Sequence, residues 1–256
     1  MDRTPDLPKN LELGYEGVAK FYDFFASNDD LPLYLDYAKS QGSPVLDIAA
    51  GTGRVSLALA EIGLVVHAVE KSPSMLSIFR EKIAEREIAR LITIHEGDMT
   101  NFSLDNKFPL IIIPSSFGHA LTKEQQLSTL LSIKKHLSDD GIFIFDLYVG
   151  EHIDNYSTFQ DGPVLMPDGR EVMRYGEMTL DREKQLMSLT LRFEVHDSSG
   201  SVVEAYSAES GTAVINRLDA DNLIQDIGFK ILEDFGDFHK NPYTPDSYRR
   251  ILILSH

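Results

Sequence analysis

Residues 44–72 read PVLDIAAGTGRVSLALAEIGLVVHAVEKS, and this stretch decides the fold. A short apolar run (45–48) is followed by a turn of small residues (49–53), a helical pattern (55–62) and a second apolar run that ends on Glu70. This order predicts a βαβ unit, whose two strands lie parallel in a sheet that is covered on both faces. Such sheets bind ligands beyond the carboxyl ends of their strands, where the small-residue turn and Glu70 both fall.

The turn after the first strand favours a ligand that contains a nucleoside. Its residues are small, so the backbone can bend sharply and a ligand can touch it without meeting a side chain. Glu70 follows Asp47 by roughly 20 residues, a suitable position for a carboxylate that accepts hydrogen bonds from ribose hydroxyls. A dinucleotide-binding turn has glycine at its first, third and sixth positions, and neither register of this turn supplies the sixth.

An acid followed by alternate small residues, here Asp47, Ala49, Gly51 and Gly53, resembles motif I of the class I S-adenosylmethionine-dependent methyltransferases. Ala49 stands where that family usually has glycine. The resemblance implies a Rossmann-like α/β fold with a seven-stranded mixed sheet, helices on both faces and an antiparallel final strand. It also implies S-adenosylmethionine as the cofactor, with Glu70 on its ribose. The alternative is an α/β domain that binds no nucleotide.

The same resemblance implies further cofactor contacts. Arg54, Lys71 and Met75 lie directly after the turn and after Glu70. Beyond the next predicted strand (91–95), Asp98 and Met99 match the family's third contact, where an acid accepts the adenine amino group and the next residue packs near the ring. An ordinary Gly-Asp turn is the alternative for this pair.

A second loop at the same sheet edge indicates the acceptor side of the site, where the molecule that receives the methyl group would bind. The apolar run at 108–113 ends in PSSFGH (114–119), and this sequence resembles the equivalent loop of small-molecule N-methyltransferases that act on amino sugars. The chain is similar to those enzymes along nearly its whole length. The resemblance implies methyl transfer to a nitrogen of a small molecule, with Ser115 near the cofactor and His119 at the substrate. Imidazole can take a proton near neutral pH, whereas a purely structural histidine is the alternative.

The N-terminal region is predicted to form a helical lid (1–40) over a cofactor-binding core (41–148). After a tail rich in proline and charge (1–13), apolar residues from Tyr15 to Phe25 recur at helical spacing, and a second helix is expected at 33–39. In the resembled family such helices fold over cofactor and substrate, which makes Tyr15 and Tyr22 candidate substrate contacts. Core packing of an amphipathic helix is the alternative for both.

Residues 149–217 depart from the α/β pattern. Segments 171–180, 186–195 and 202–212 show alternation and β-branched residues, which predicts an antiparallel β insertion. The insertion is expected to roof the active site or to form a homodimer surface, and the core resumes at 218–256. Four arginines of the insertion could recognise an anionic group: Arg170, Arg174, Arg192 and Arg217. The alternative is that they are solvated side chains on the strands.

Composition limits the partners. A chain of 256 residues with 43% hydrophobic content can fill one large domain, or one domain with an insert. A net charge of −16 argues against nucleic acid and anionic membranes, so a small-molecule substrate is expected. The absence of cysteine excludes disulfides and thiolate metal ligands, the histidines lack metal-site spacing, and no apolar leader is seen; a cytoplasmic location without a metal is expected.

The sequence alone is compatible with several functions. Within the transferases, O-methylation of a small molecule competes with N-methylation. Outside them, an NAD-linked oxidoreductase and a cofactor-binding protein without transferase activity are the rivals.

Overall fold

A computed structural model describes residues 14–149 and 153–256 of the chain. Its helices are α1 (Tyr22–Phe25), α2 (Leu31–Gln41), α3 (Arg54–Glu61), α4 (Pro73–Ile83), α5 (Lys123–His136) and α6 (Arg217–Ile227). Its strands are β1 (Val45–Ile48), β2 (Val66–Glu70), β3 (Ile92–Glu96), β4 (Phe108–Ile113), β5 (Leu137–Tyr148), β6 (Tyr156–Leu165), β7 (Glu171–Asp181), β8 (Leu186–His196), β9 (Val202–Ala213), β10 (Lys230–Phe235) and β11 (Arg249–Ser255).

The main sheet confirms the predicted fold class. Its seven strands lie in the order β10-β11-β5-β4-β1-β2-β3. Strands β1 to β5 are parallel, whereas β11 is antiparallel to both of its neighbours. The chain order changes direction between β1 and β4, and a cleft forms at such a switch point beyond the carboxyl ends of the strands. The turn at 49–53 and the loop at 114–119 both leave strands that end at this cleft.

Burial on both faces explains the unbroken apolar runs that mark these strands. In β4, Ile111 and Ile113 pack into the cluster that contains α5 and α6 residues. Leu110 and Ile112, on the other face, pack with residues of α2, α3 and α4. Each face therefore buries alternate residues of the same strand, so no polar position interrupts the sequence.

The insertion forms a second, antiparallel sheet in the order β6-β7-β8-β9. The three predicted segments correspond to β7, β8 and β9, and β6 was not predicted. β6 is an edge strand with many exposed positions, and its Gly162-Pro163 pair interrupts the pairing with β7, so its sequence carries little alternation. The alternative role of this sheet, a homodimer surface, stays a prediction.

The N-terminal segment packs on the second sheet. Val18 and Phe21 share a buried cluster with Val172, Leu191 and Phe193, and the rings of Phe21 and Phe193 stack with their centroids 4.9 Å apart. The two parts of the chain that were predicted as lid and roof are therefore joined by one apolar core. No helix within the described ranges is long and apolar enough to span a bilayer.

The prediction of a continuous helix from Tyr15 is wrong in its first half. Turns occupy residues 14–18, a single 3₁₀ turn covers Ala19–Phe21, and α1 begins only at Tyr22. Gly14 (φ +56°) and Gly17 (φ +80°) adopt left-handed conformations that a right-handed helix does not contain. The predicted tail at 1–13 lies outside the described residues.

Candidate active site

A cavity of about 530 Å³ opens at the switch point and is roofed by the second sheet. It brings together twelve of the fourteen predicted site residues: Tyr15, Tyr22, Asp47, Ala49, Gly51, Arg54, Glu70, Lys71, Met75, Met99, Ser115 and His119. Gly53 and Asp98 do not line it. Residues that are far apart in the sequence thus converge because parallel strands end at one sheet edge.

The turn after β1 leaves its backbone open to the cavity. Ala49 and Gly51 have φ values of +55° and +58°, which lie in the left-handed region. A Cβ atom built on Gly51 would meet nothing within 4 Å, so a ligand can approach this backbone closely. Alanine at 49 therefore adopts a backbone conformation that glycine reaches more readily.

Glu70 fixes this turn to the start of α4. Its Oε2 accepts a hydrogen bond from Gly51 N at 2.8 Å, and its Oε1 accepts from Lys71 N at 2.9 Å and Ser72 N at 2.7 Å. Burial raises the pKa of this carboxyl, against the lowering effect of the same three amides. The carboxylate is 7% exposed and lies in the cavity wall, where its remaining acceptor capacity can meet a ligand hydroxyl.

Asp47 contributes an unsatisfied acceptor. Its Oδ2 accepts from Ser56 Oγ at 2.6 Å, while its buried Oδ1 has no hydrogen-bond partner. Burial raises the pKa of Asp47 to about 7, although the Ser56 hydroxyl lowers it. Because the residue lines the cavity, a cationic group of a bound ligand would satisfy Oδ1 and favour the charged carboxylate.

The two predicted residues outside the lining have other contacts. A Cβ on Gly53 would lie 2.2 Å from the ring of Phe79, so this glycine allows α3 to pack against α4. Asp98 accepts from the backbone and hydroxyl of Thr100 and pairs with Lys71 Nζ at 3.3 Å. Burial alone would raise the pKa of Asp98, but these partners hold it below its usual value. Its part in adenine recognition stays a prediction.

A contact with β9 of the second sheet determines which ring nitrogen of His119 carries the proton. A Cβ on Gly118 would lie 2.6 Å from Thr212 Cγ2, so the glycine lets this loop pack under β9. His119 Nδ1 is then 3.0 Å from the carbonyl oxygen of Gly211, which can only accept, so Nδ1 carries the proton. Nε2 therefore holds the lone pair of the neutral ring. Burial lowers the pKa of His119, and the nearby Lys71 charge lowers it further, which keeps the ring neutral at pH 7.

A buried ion pair supports the loop that follows β4. Asp146 binds Arg249, and its Oδ1 also accepts from Ser115 N at 2.7 Å and Tyr34 Oη at 3.3 Å. Asp146 and Tyr148 lie at the carboxyl end of β5. Only Tyr148 lines the cavity, and Arg249 NH2 donates to its hydroxyl at 2.7 Å. Asp146 acts instead on the position of Ser115.

Acidic residues tie the N-terminal segment to the rim of the cavity. Asp30 binds the Arg54 guanidinium through two hydrogen bonds of 2.5 and 2.6 Å, and its side chain is 5% exposed. Asp23 accepts from Thr52 Oγ1 at 2.7 Å. Tyr22 and Tyr15 also line the cavity, and their rings meet edge to face with centroids 4.9 Å apart.

The roof contributes lining residues that were not predicted. They are Ile153, Phe159, Met178, Met187, Leu189, Ser210 and Thr212. Strand alternation could have shown which of these residues share a face, but no local pattern reveals what that face covers.

A seven-stranded sheet with one antiparallel edge hairpin, a small-residue turn after β1 and an acid at the end of β2 define the class I methyltransferase architecture. Residues 45–141 match the family model described as a methyltransferase domain.

Comparisons with known proteins agree with this class. A putative methyltransferase of Bacillus subtilis, YqeM, is 29% identical over 154 residues, which is 57% of this chain and 62% of the relative. The dTDP-3-amino-3,4,6-trideoxy-alpha-D-glucopyranose N,N-dimethyltransferase of Streptomyces venezuelae is 28% identical over 197 residues, or 75% of this chain and 76% of the relative. The CcbJ methyltransferase of Streptomyces caelestis shares the fold with a TM-score of 0.77 at 19% identity, over 97% of this chain and 99% of that one.

The chain is a class I S-adenosylmethionine-dependent methyltransferase. The cavity fits this cofactor. The orphaned Asp47 Oδ1 suits an ammonium group, the open backbone at Gly51 admits close approach, and Glu70 offers acceptors for hydroxyls.

Proposed function

We propose that this enzyme transfers a methyl group to the nitrogen of a small-molecule amine. The observation that carries the proposal is His119: a ring held neutral, with its proton on Nδ1, in the wall of the cavity that holds the cofactor turn. The Streptomyces venezuelae relative, named as an N,N-dimethyltransferase of an amino sugar, supports the same acceptor atom.

The cavity wall supports an assignment of the residues that would hold the cofactor. When bound, S-adenosylmethionine supplies a methyl group activated on its sulfonium. Asp47 would hold its ammonium group and Glu70 its ribose, and Arg54 lies beside them in the cavity wall. Lys71, Met75 and Met99 complete this part of the wall, with Ser115 at its border with the acceptor side.

The protein positions the two reactants and supplies a group that can accept a proton. The His119 Nε2 lone pair can accept a hydrogen bond from the acceptor amine and take the proton that the nitrogen loses on methylation. Tyr15 and Tyr22 border the same space, and their N-terminal segment excludes water from it. Holding two reactants in line can lower the barrier by about 7–11 kcal/mol, so orientation is the main contribution of the protein.

The test is release of S-adenosylhomocysteine with a panel of amines and their hydroxyl counterparts. Amine-dependent turnover is expected, and turnover of hydroxyl compounds alone would refute N-methylation. His119→Ala should lower kcat by about 10²–10⁴ with an unchanged cofactor Kd. The exposed His239 provides the control variant, His239→Ala. Undiminished turnover in His119→Ala would remove the proton-acceptor role and leave a proximity mechanism.

A further inference from the structure

The described residues that wall the acceptor side of the cavity are uncharged. Of the described residues, the second sheet and the segment before it supply five apolar side chains and two hydroxyls: Ile153, Phe159, Met178, Met187, Leu189, Ser210 and Thr212. The neighbouring loop and the N-terminal segment add His119 and tyrosines, whose groups are neutral at pH 7. Where the structure describes the lining, its two carboxylates are Asp47 and Glu70, which lie at the ends of β1 and β2 beside the cofactor turn.

The cations near this space already have anionic partners. In the described part of the lining, the cations are Arg54, which Asp30 binds through both carboxylate oxygens, and Lys71, which pairs with Asp98. The four arginines that could recognise an anion are also paired with carboxylates of this chain. The pairs are Arg170 with Asp168 and Glu204, Arg174 with Asp161, Arg192 with Glu194, and Arg217 with Asp221.

We infer, on the basis of the proposed N-methylation, that the acceptor is an amine whose body is uncharged and largely apolar. A phosphate placed against Met178, Met187 and Leu189 would lose its hydration without gaining a charged partner. The thioether side chains adapt to irregular apolar shapes, which suits an aliphatic or aromatic body. This substrate class differs from the nucleotide-linked amino sugar in the name of the Streptomyces venezuelae relative.

The experiment compares matched compounds on the intact enzyme. Arylalkyl and alicyclic amines are each paired with a phosphorylated derivative, for example tyramine with O-phosphotyramine, and a dTDP-linked amino sugar is included. Binding is measured by calorimetry with S-adenosylhomocysteine present, and turnover with S-adenosylmethionine. The members without phosphate should bind roughly a hundredfold or more tightly than their phosphorylated partners, because the buried phosphate lacks a counter-charge.

Two variants on one strand test the wall directly. Met178→Lys places a cation on the cavity face of β7, and Thr179→Lys places one at the next, exposed position. Met178→Lys should reduce kcat/KM for the amines without phosphate about tenfold or more and improve binding of their phosphorylated partners, with the cofactor Kd unchanged. Thr179→Lys should leave unchanged both kcat/KM for the amines and the binding of their phosphorylated partners.

The outcomes separate this inference from the proposed function. Preference for a phosphorylated or nucleotide-linked amine would overturn the inference and leave N-methylation standing. Failure of every amine without phosphate, and of its hydroxyl counterpart, to bind would also overturn the inference. Turnover of apolar hydroxyl compounds, with no turnover of amines, would refute N-methylation while supporting the apolar acceptor wall.

Discussion

Replacing Glu70 with glutamine tests the cofactor site at its most connected residue. The carboxylate accepts three backbone hydrogen bonds, from Gly51, Lys71 and Ser72, at 2.7 to 2.9 Å. Glutamine keeps the shape but has one carbonyl oxygen, so its NH₂ group must face at least one of these N–H donors. The substitution therefore weakens both the turn and any bond from the carboxylate to a ribose hydroxyl.

The magnitude follows from the kind of hydrogen bond that is lost. A hydrogen bond to a charged group contributes about 1.5–3 kcal/mol. Loss of one such bond to the ligand corresponds to a roughly ten- to hundredfold higher Kd for S-adenosylmethionine. Disturbance of the turn should also lower Tm without ligand by about 2–4 °C for each kcal/mol lost.

Calorimetric titration and thermal unfolding measure the two effects separately. Glu96→Gln is the matched control, because Glu96 lies opposite Glu70 on β3, its side chain is 65% exposed, and its contact with Arg80 is at 3.7 Å. A Glu70→Gln enzyme that binds the cofactor within about twofold of wild type would refute the ribose assignment. A lower Tm with an unchanged Kd would restrict Glu70 to supporting the turn.

Two further predictions concern packing and pH. Gly53→Ala should lower the free energy of unfolding by about 2–5 kcal/mol, since its Cβ would overlap the fully buried Phe79 ring and φ is +81°. Gly51→Ala, with open space around it, should cost only about 1–2 kcal/mol, and equal losses in urea unfolding would contradict this assignment. His67 Nδ1 and His95 Nε2 lie 3.0 Å apart, and burial lowers the pKa of both rings, so the folded state favours their neutral forms. Their stabilisation should be complete above about pH 6.5 and decline as the pH falls; a His67→Gln/His95→Gln double variant should therefore lose less stability than wild type from about pH 7 to about pH 5, and parallel declines would refute the coupling.

The main sheet could be predicted because its signals are local. The run at 45–48, the turn at 49–53 and the acid at 70 lie within one βαβ unit, and strands buried on both faces have nearly continuous apolar sequences. The N-terminal segment shows the limit of such patterns. Its apolar spacing is helical, but Gly14 and Gly17 adopt left-handed conformations, and its apolar side chains pack against a sheet formed more than a hundred residues later.

The residues of the site also differ in how far the sequence alone could identify their roles. Asp47, Gly51 and Glu70 could be identified from the sequence because the turn and the strand end that carry them are close in the chain. The role of Gly53 could not, because the Phe79 ring that occupies the space of its missing Cβ belongs to another helix.

By itself, the sequence determined the parallel sheet, the cofactor turn and the loop that carries His119, because backbone conformation and strand order follow from local composition and chain connectivity. Only the tertiary structure decided how that histidine is protonated and what faces it. The carbonyl of Gly211 fixes its tautomer, and the second sheet supplies the uncharged wall opposite. Both depend on how two separate sheets pack, and the alternation of residues along a strand does not show what each of its faces will contact.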